Sequence, residues 1–373
     1  MNRIWYKFVP LLLCCFVVLA GCTTTTSNIP LLLRYADGTQ QSLVKMTWNI
    51  ETGDIVTDTG TVATFTDTST DAEYAVWWPT KPNYWVPLIG DAISNTAVYW
   101  NGADKLTLFT IDEIPAQKNV NIVKFSDPQL FTRLTEGCTQ HMNRTNCIAT
   151  STVLYLYDNG ANSPTVYEIT ASETKSTKIP GYIIGIGKSN GKTYVLTFTE
   201  EDGATQQLFL HAIGSDGSID SKAVANSELK LYEQNNTVID CYESVRSTLV
   251  NGGFYMWDSK VDVTSSTPQV ISIPSLKDGF DIIAHAGHYG SNYSHIATPE
   301  FMQYKNYLLA IGSTFSYGEI TVAAFENDKL VGFIIINPLD EQNTTLTTYD
   351  ATGNQLKSYA IRTPVQVIAP QSQ

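Results

Sequence analysis

From Ile29 onward, apolar and polar residues alternate in short runs, and turn dipeptides separate the runs. Residues 152–157, 193–199, 207–213 and 320–325 are rich in β-branched and aromatic side chains and read as strands. Between such runs stand Asp37-Gly38, Asn101-Gly102, Asn159-Gly160, Asn190-Gly191, Asp202-Gly203, Asp216-Gly217, Asn251-Gly252 and Asp278-Gly279. Asn-Gly and Asp-Gly supply the positive φ angles that tight hairpins need. No segment keeps a 3.6-residue apolar period, so little helix is expected. The one long unbroken apolar run, residues 8–20, lies before all of this.

Strand pairs of similar shape begin near Asn95, Thr150, Asn190, Asn251 and Lys305, at intervals of 40 to 61 residues. That is close to the period of propeller blades, each a four-stranded meander. The expected fold is therefore all-β: a β-propeller of six to eight four-stranded blades over residues 29–373. Tandem β-sandwiches are the alternative, since they also string short strands at even spacing. The absence of any linker within residues 29–366 favours one ring. Ring closure would pair the N-terminal strand near residues 31–35 with C-terminal strands near 356–361 and 365–368.

Three segments share a hydrophobic strand, an acidic turn with Gly, and a second strand: residues 48–56 (WNIETGDIV), 349–356 (YDATGNQL) and, more loosely, 212–219 (AIGSDGSI). They resemble the blade hairpin of quinoprotein-like propellers, which implies the same ring fold. The tryptophans usual in those blades are missing at most positions.

The N-terminus carries a second resemblance. Arg3 and Lys7 precede the apolar run of residues 8–20, and Leu19-Ala20-Gly21-Cys22 closes it. This order of charge, apolar run, small residues and cysteine resembles the bacterial lipobox. The resemblance implies that residues 1–21 are a signal peptide and that Cys22 becomes the lipidated N-terminus. The run is too short for a membrane-spanning helix, which needs about 20 apolar residues. Residues 22–28 then form the lipidated cysteine and a polar tether, Thr23-Thr24-Thr25-Thr26-Ser27-Asn28. Thr23 after the lipid cysteine resembles outer-membrane sorting. The lipoprotein of the outer-membrane barrel-assembly machinery has the same layout of lipobox and propeller, and only the layout is shared.

The formal net charge is −13, and it becomes more negative once Arg3 and Lys7 are removed. An acidic chain lacks the basic footprint that nucleic acid and anionic headgroups require, so no nucleic-acid partner is expected. Cys14 and Cys15 leave with the signal, which leaves Cys138, Cys147 and Cys241. Export implies an oxidising compartment. Cys138 and Cys147 close the shortest loop and are the expected disulfide, with Cys241 a buried thiol.

Candidate chemistry is sparse. His285, His288 and His295 gather three of the five histidines in a Gly-rich stretch and form the candidate metal set. No cysteine stands near them and no His-Glu-x-x-His spacing is present, so loop histidines lining a propeller face are the competing reading. Trp77, Trp78, Tyr84, Trp85 and Trp100 form the densest aromatic stretch, cut by prolines. Exposed rings there would stack on sugars or anchor a partner, whereas buried ones would pack between blades. Asp240, Glu243, Asp258 and Asp281 are carboxylates of the type a glycosidase pairs. Two motifs mislead. Residues 185–191 (GIGKSNG) look like a phosphate loop, but a strand follows where a helix N-terminus is needed. Ser316 echoes a nucleophile elbow but lacks the first glycine.

No cofactor and no catalytic residue are expected. The sequence reads as an extracytoplasmic lipoprotein, anchored through its N-terminal lipid to a bacterial membrane, expected to be the outer one, and facing the periplasm or the cell surface. Its expected work is non-catalytic: a protein-binding scaffold or envelope assembly factor. Glycan binding or hydrolysis is the alternative.

Overall fold

The computed structural model describes residues 27–38, 40–66, 96–103, 105–110, 113–124, 146–150, 152–159, 164–201, 205–230, 233–234, 237–238, 247–256, 258–286, 296–314, 319–338 and 344–370. Nearly all the ordered elements are strands, and they fall into six consecutive units.

Unit 1 is β1 (Asn28–Asp37), β2 (Gln40–Asn49) and β3 (Ile55–Thr66), an antiparallel meander. Unit 2 is β4 (Thr96–Trp100), β5 (Leu106–Thr110) and β6 (Val120–Lys124). Unit 3 is the meander β7 (Asn146–Ala149), β8 (Leu154–Asp158), β9 (Thr165–Ile169), β10 (Thr174–Lys178). Unit 4 follows with β11 (Tyr182–Ser189), β12 (Lys192–Glu201), β13 (Thr205–Ile213) and β14 (Ile219–Ala223), with the short β15 (Leu229–Lys230) added to β13. A small hairpin, β16 (Glu233–Gln234) and β17 (Thr237–Val238), leads to unit 5. That unit is β18 (Ser247–Val250), β19 (Gly253–Met256), β20 (Ser259–Asp262) and β21 (Val270–Ser272). Helix α1 (Pro274–Ala286) precedes unit 6. Unit 6 is a six-stranded meander: β22 (Ile296–Tyr304), β23 (Tyr307–Thr314), β24 (Ile320–Glu326), β25 (Lys329–Pro338), β26 (Thr344–Asp350) and β27 (Gln355–Ile361). Finally β28 (Gln366–Ile368) returns to pair with β1.

The side chains show how the units stack. Side chains alternate along a strand, so each sheet offers an apolar face to both neighbours. Leu31, Leu33, Met46 and Trp48 of unit 1 pack on Leu309, Val322 and Ile334 of unit 6. Leu32, Leu43 and Phe65, on the other face of unit 1, meet Val98, Trp100 and Leu108 of unit 2. Tyr155 and Val166 of unit 3 meet Ile183, Ile186 and Val195 of unit 4. Leu196, Phe198 and Leu208, on the far face of unit 4, meet Phe254 and Val261 of unit 5. Tyr255 of unit 5, with Leu276 and Ile283 of α1, packs on Phe301, Phe325 and Phe333 of unit 6. Units 2 and 3 touch through β4 and β7. Six units in sequence, with the last packed on the first, make a β-propeller, and units 4 and 5 are also joined edge to edge through β11 and β18 in one nine-stranded sheet.

Closure uses one of the two strand pairings expected. Leu32, Leu33 and Arg34 pair with Ile368, Val367 and Gln366. β27 pairs with β26 instead of β1. Two units depart from the expected four-stranded meander. The described part of unit 2 has three strands, and β5 and β6 run parallel. Unit 6 has six, because β26 and β27 extend it to the turn of unit 1.

The hairpin turns emerge on two faces. The three segments that resemble blade hairpins are indeed turns between paired strands: β2–β3, β26–β27 and β13–β14. In the last two, a glycine N–H donates to the carbonyl three residues back, Gly353 to Asp350 and Gly217 to Gly214. The first strands of units 4 and 5, β11 and β18, run parallel and adjacent. Residues 185–191 therefore belong to a hairpin and not to a phosphate loop. Gly187 is explained by packing: a Cβ there would stand 2.2 Å from Leu249 Cβ.

Helix α1 was not expected. Leu276, Gly279 and Ile283 give one short apolar stripe, and Pro274 sits at the helix start, where its missing N–H is harmless. Asp278-Gly279 lies inside this helix and is not a turn. A Cβ on Gly279 would fall 2.6 Å from the Phe325 ring, so glycine lets the helix approach unit 6. Among the described residues, no helix is long and apolar enough to cross a membrane.

Candidate functional site

The outer edge of unit 4 combines an exposed strand with a buried polar brace behind it. All five residues of β14 are exposed, Ile219 among them, and among the described residues β14 is the last strand of its sheet. An edge strand presents one row of backbone N–H and C=O groups without a strand partner. Lys222 and Asp220 lie 3.6 Å apart on this strand, and Lys222 Nζ also donates to the Ser266 carbonyl at 3.3 Å.

The brace follows from register. His211 stands directly opposite Ser221, and Val195 on β12 stands opposite His211, which puts Thr197 on the same face. His211 Nδ1 lies 2.8 Å from Ser221 Oγ, and Nε2 lies 2.9 Å from Thr197 Oγ1. His211 and Thr197 are buried, whereas Ser221 is exposed. Burial pushes the imidazole below its ordinary pKa, and the Pro180 carbonyl works in the opposite sense. The ring is therefore neutral near pH 7, with one donor and one acceptor for two hydroxyls. A serine beside a neutral imidazole has the start of a nucleophilic pair. The group at the far ring nitrogen is a threonine hydroxyl, which does not stabilise an imidazolium as a carboxylate does. The arrangement ties three outer strands together.

The same face of unit 4 meets unit 3 through further polar groups. Asn159 Nδ2 donates to the Ile183 carbonyl at 2.9 Å, and Ile183 N–H donates to Asn159 Oδ1 at 2.7 Å. One side chain thus copies a strand pairing between units. Lys188 and Glu168 lie 3.6 Å apart. Burial pushes the Tyr155 hydroxyl up to about 12, with Thr193 beside it working the other way.

A buried cation lies beside the closing strand, on the face of unit 1 toward unit 2. Arg34 has no solvent exposure; its Nε donates to Gln41 Oε1 at 3.1 Å, and its guanidinium stands 5.0 Å over the Phe65 ring. Gln366 of β28 sits 3.5 Å from Nη1, so the closing strand also reaches this cation.

The residues singled out by sequence are not brought into one site among the described residues. Trp100 is 2 % exposed in β4, and its indole N–H donates to the Ala103 carbonyl at 2.7 Å. It packs between units 1 and 2 and offers no ring to a ligand. Trp77, Trp78, Tyr84 and Trp85 lie outside the described residues. His285 is in the last turn of α1 and not in a loop; its Nδ1 lies 2.6 Å from the Asp281 carbonyl. His288 and His295 lie outside the described residues, and within those described no group of three His, Cys, Asp or Glu could hold a metal. Cys22, Cys138 and Cys241 also lie outside, and of Cys147 only the backbone in β7 is described. Asp258 and Asp281 sit on separate elements, a turn before β20 and helix α1; Asp240, Glu243 and Ser316 are outside.

The His211 brace was missed, although a signal existed. Residues 193–199 and 207–213 were legible as neighbouring strands, and their antiparallel register brings Thr197 and His211 together.

No family model matches the chain, and no curated relative matches it. Among solved structures, a chimera of ACO and RPE65 matches with a TM-score of 0.36 at 10 % identity, covering 92 % of each chain. A putative 6-phosphogluconolactonase from Bacteroides fragilis matches at 0.35 and 12 % identity, over 93 % of this chain and 99 % of its own. A subtype N10 neuraminidase-like protein of A/little yellow-shouldered bat/Guatemala/060/2010 matches at 0.29 and 12 % identity, over 57 % of this chain and 80 % of its own. Likenesses this distant decide nothing about activity.

Proposed function

We propose that the chain is a bacterial envelope lipoprotein, anchored through lipid on Cys22, whose propeller is a non-catalytic scaffold for a protein partner. The observation that carries the scaffold reading is β14: a fully exposed edge strand on a unit braced from behind by His211. Edge strands accept an extended segment of another chain by strand addition, where backbone hydrogen bonds give affinity and alternate side chains give selectivity. Ile219, at 38 % exposure one of two large hydrophobic residues exposed among those described, supplies an apolar contact at one end. Anchoring is supported by the order of signal, lipobox and tether in residues 1–28. A Cys138–Cys147 bridge belongs to the same reading, since it needs the oxidising compartment that export supplies. The glycan alternative loses Trp100 to the core.

The test has two parts. Cys22→Ser protein should leave the membrane fraction and lose lipid label; unchanged labelling defeats the anchoring reading. A photo-crosslinker at Lys222 in the native protein should give one dominant adduct in intact cells. Ser221→Pro, which bars a strand from pairing at that edge, should abolish it. Adducts that are absent, or indifferent to the proline, defeat strand addition at β14.

A further inference from the structure

The point where the chain leaves the ring fixes which face of the ring can meet the membrane. Ser27 is the first described residue, and it is pinned to the β2–β3 turn. Its carbonyl accepts the Ile50 N–H at 2.9 Å, and its hydroxyl donates to the Glu51 carboxylate. From there β1 runs ten residues to Asp37, at the opposite face.

Several other turns share the face of Ser27. The β26–β27 turn lies against the β2–β3 turn: Thr348 Oγ1 donates to the Gly53 carbonyl at 3.1 Å, and Lys357 pairs with Asp54. The β24–β25 turn, Asn327-Asp328, is at the same end of unit 6, two strands inward. The Asp37-Gly38 turn and the segment from β27 to β28 lie at the far end, where Arg362 donates to the Ala36 carbonyl at 2.9 Å.

Resting on the proposed lipidation of Cys22, we infer that the face carrying the β2–β3, β24–β25 and β26–β27 turns stands against the bilayer, and the face carrying Asp37 points away from it. The argument is one of reach. Five residue steps separate Cys22 from Ser27, and a chain spans at most ~3.6 Å per residue, so the tether reaches roughly 18 Å. Ten strand residues at ~3.3 Å each put Asp37 roughly 30 Å below Ser27. The tether is shorter than the ring is thick, so the far face does not come round to the membrane. Adhesion does not set this orientation. On the near face Asp54 is paired with Lys357, and Glu51 and Asp350 leave no cationic excess to draw anionic headgroups. The surface left open to a partner is then the far face together with the outer rim, where β14 lies.

The test uses the full, lipidated protein in phosphatidylcholine vesicles carrying an energy acceptor on the headgroups. A donor fluorophore is placed through a noncanonical residue at exposed Lys329 on the near face or at exposed Asp37 on the far face. Transfer from position 329 should exceed that from position 37 by about twofold or more, given the ~30 Å between faces. Inserting about twenty Gly/Ser residues between Thr26 and Ser27 should erase most of the difference, because such a linker roams ~25 Å or more. Equal transfer from both positions, or a difference that survives the longer tether, overturns the orientation while leaving the anchor intact. A native chain that neither floats with vesicles nor carries an acyl group overturns anchor and orientation together.

Discussion

The seam between units 6 and 1 and the seam between units 3 and 4 do the same job with opposite chemistry. The closing seam is a large apolar cluster in which Trp48, Met46 and Leu31 meet Leu309, Val322 and Ile334, sealed by β28. The seam between units 3 and 4 mixes a smaller apolar set with Asn159, His211, Tyr155 and the Lys188–Glu168 pair. Chain connectivity explains the contrast. Units 3 and 4 are joined by the few residues between β10 and β11, so they meet at little entropic loss. Closure joins Arg34 to Gln366, 332 residues apart. Loop-closure entropy grows as about (3/2)RT ln n, so that meeting costs about 4 kcal/mol more than a four-residue connection. Two further buried aliphatic side chains, at roughly 1.5–3 kcal/mol each, offset it. Of these two seams, the one without a short covalent link carries the larger apolar set.

Breaking each seam should therefore have unequal consequences. Trp48→Ala opens a void at the centre of the closing seam and is expected to destabilise by about 3–5 kcal/mol, seen as a large fall in the urea midpoint. A change under 1 kcal/mol would mean that closure does not depend on this cluster. Asn159→Ala removes both bonds of one inter-unit clip, leaving Ile183 N–H and C=O to find water. It is expected to cost about 1–3 kcal/mol, with amide exchange accelerated in β11 and not in β1. Equal acceleration in both strands would erase the distinction between the seams.

The smallest effect is a pH dependence confined to the polar seam. Burial lowers the pKa of folded His211 below its unfolded value of about 6.5. The unfolded chain then binds more protons as pH falls through 6.5, so stability is full above that value and declines below it. Comparing midpoints at pH 7.5 and 5.5, the native chain should lose more stability than His211→Gln. An equal loss in both proteins would assign the dependence to other groups. Asp350 should not contribute in this window: burial raises its carboxyl, but bonds from Thr352 and Asn354 outweigh that and hold it at about 2.

Much of the ring was legible in sequence because hairpins are local. Asn190-Gly191 and Asn251-Gly252 form the two-residue turns their types demand, with Asn190 at φ 50° and Asn251 at φ 47°. The same dipeptide logic failed at Asp278-Gly279, where the glycine answers to the Phe325 ring packed above it, a contact between elements that no local rule contains. The three acidic turns were read correctly as hairpins. What could not be read was that two of them would touch. Gly53, at φ 69°, has Thr348 Oγ1 and Leu356 Cβ within 2.7 Å of where its own Cβ would be, and those residues are some 300 positions away. The brace around His211 was implicit in one hairpin register, but its partners Thr197 and Ser221 stand 14 and 10 positions away, so no cluster in sequence marks it. Arg34 offered no signal at all, since its burial depends on Gln366 arriving from the far end of the chain.

The closing strand also sets a timetable. β1 is among the first strands made, and its partner β28 is the last. At about 5–20 residues per second, the 332 positions between Arg34 and Gln366 take roughly twenty seconds to a minute to emerge from the ribosome. Throughout that interval Leu31, Leu32 and Leu33 present an apolar edge without its mate, the geometry most prone to pairing with a neighbouring chain. A chain cut before Gln366 would lack the strand that pairs with β1, and its ring would stay open at that edge.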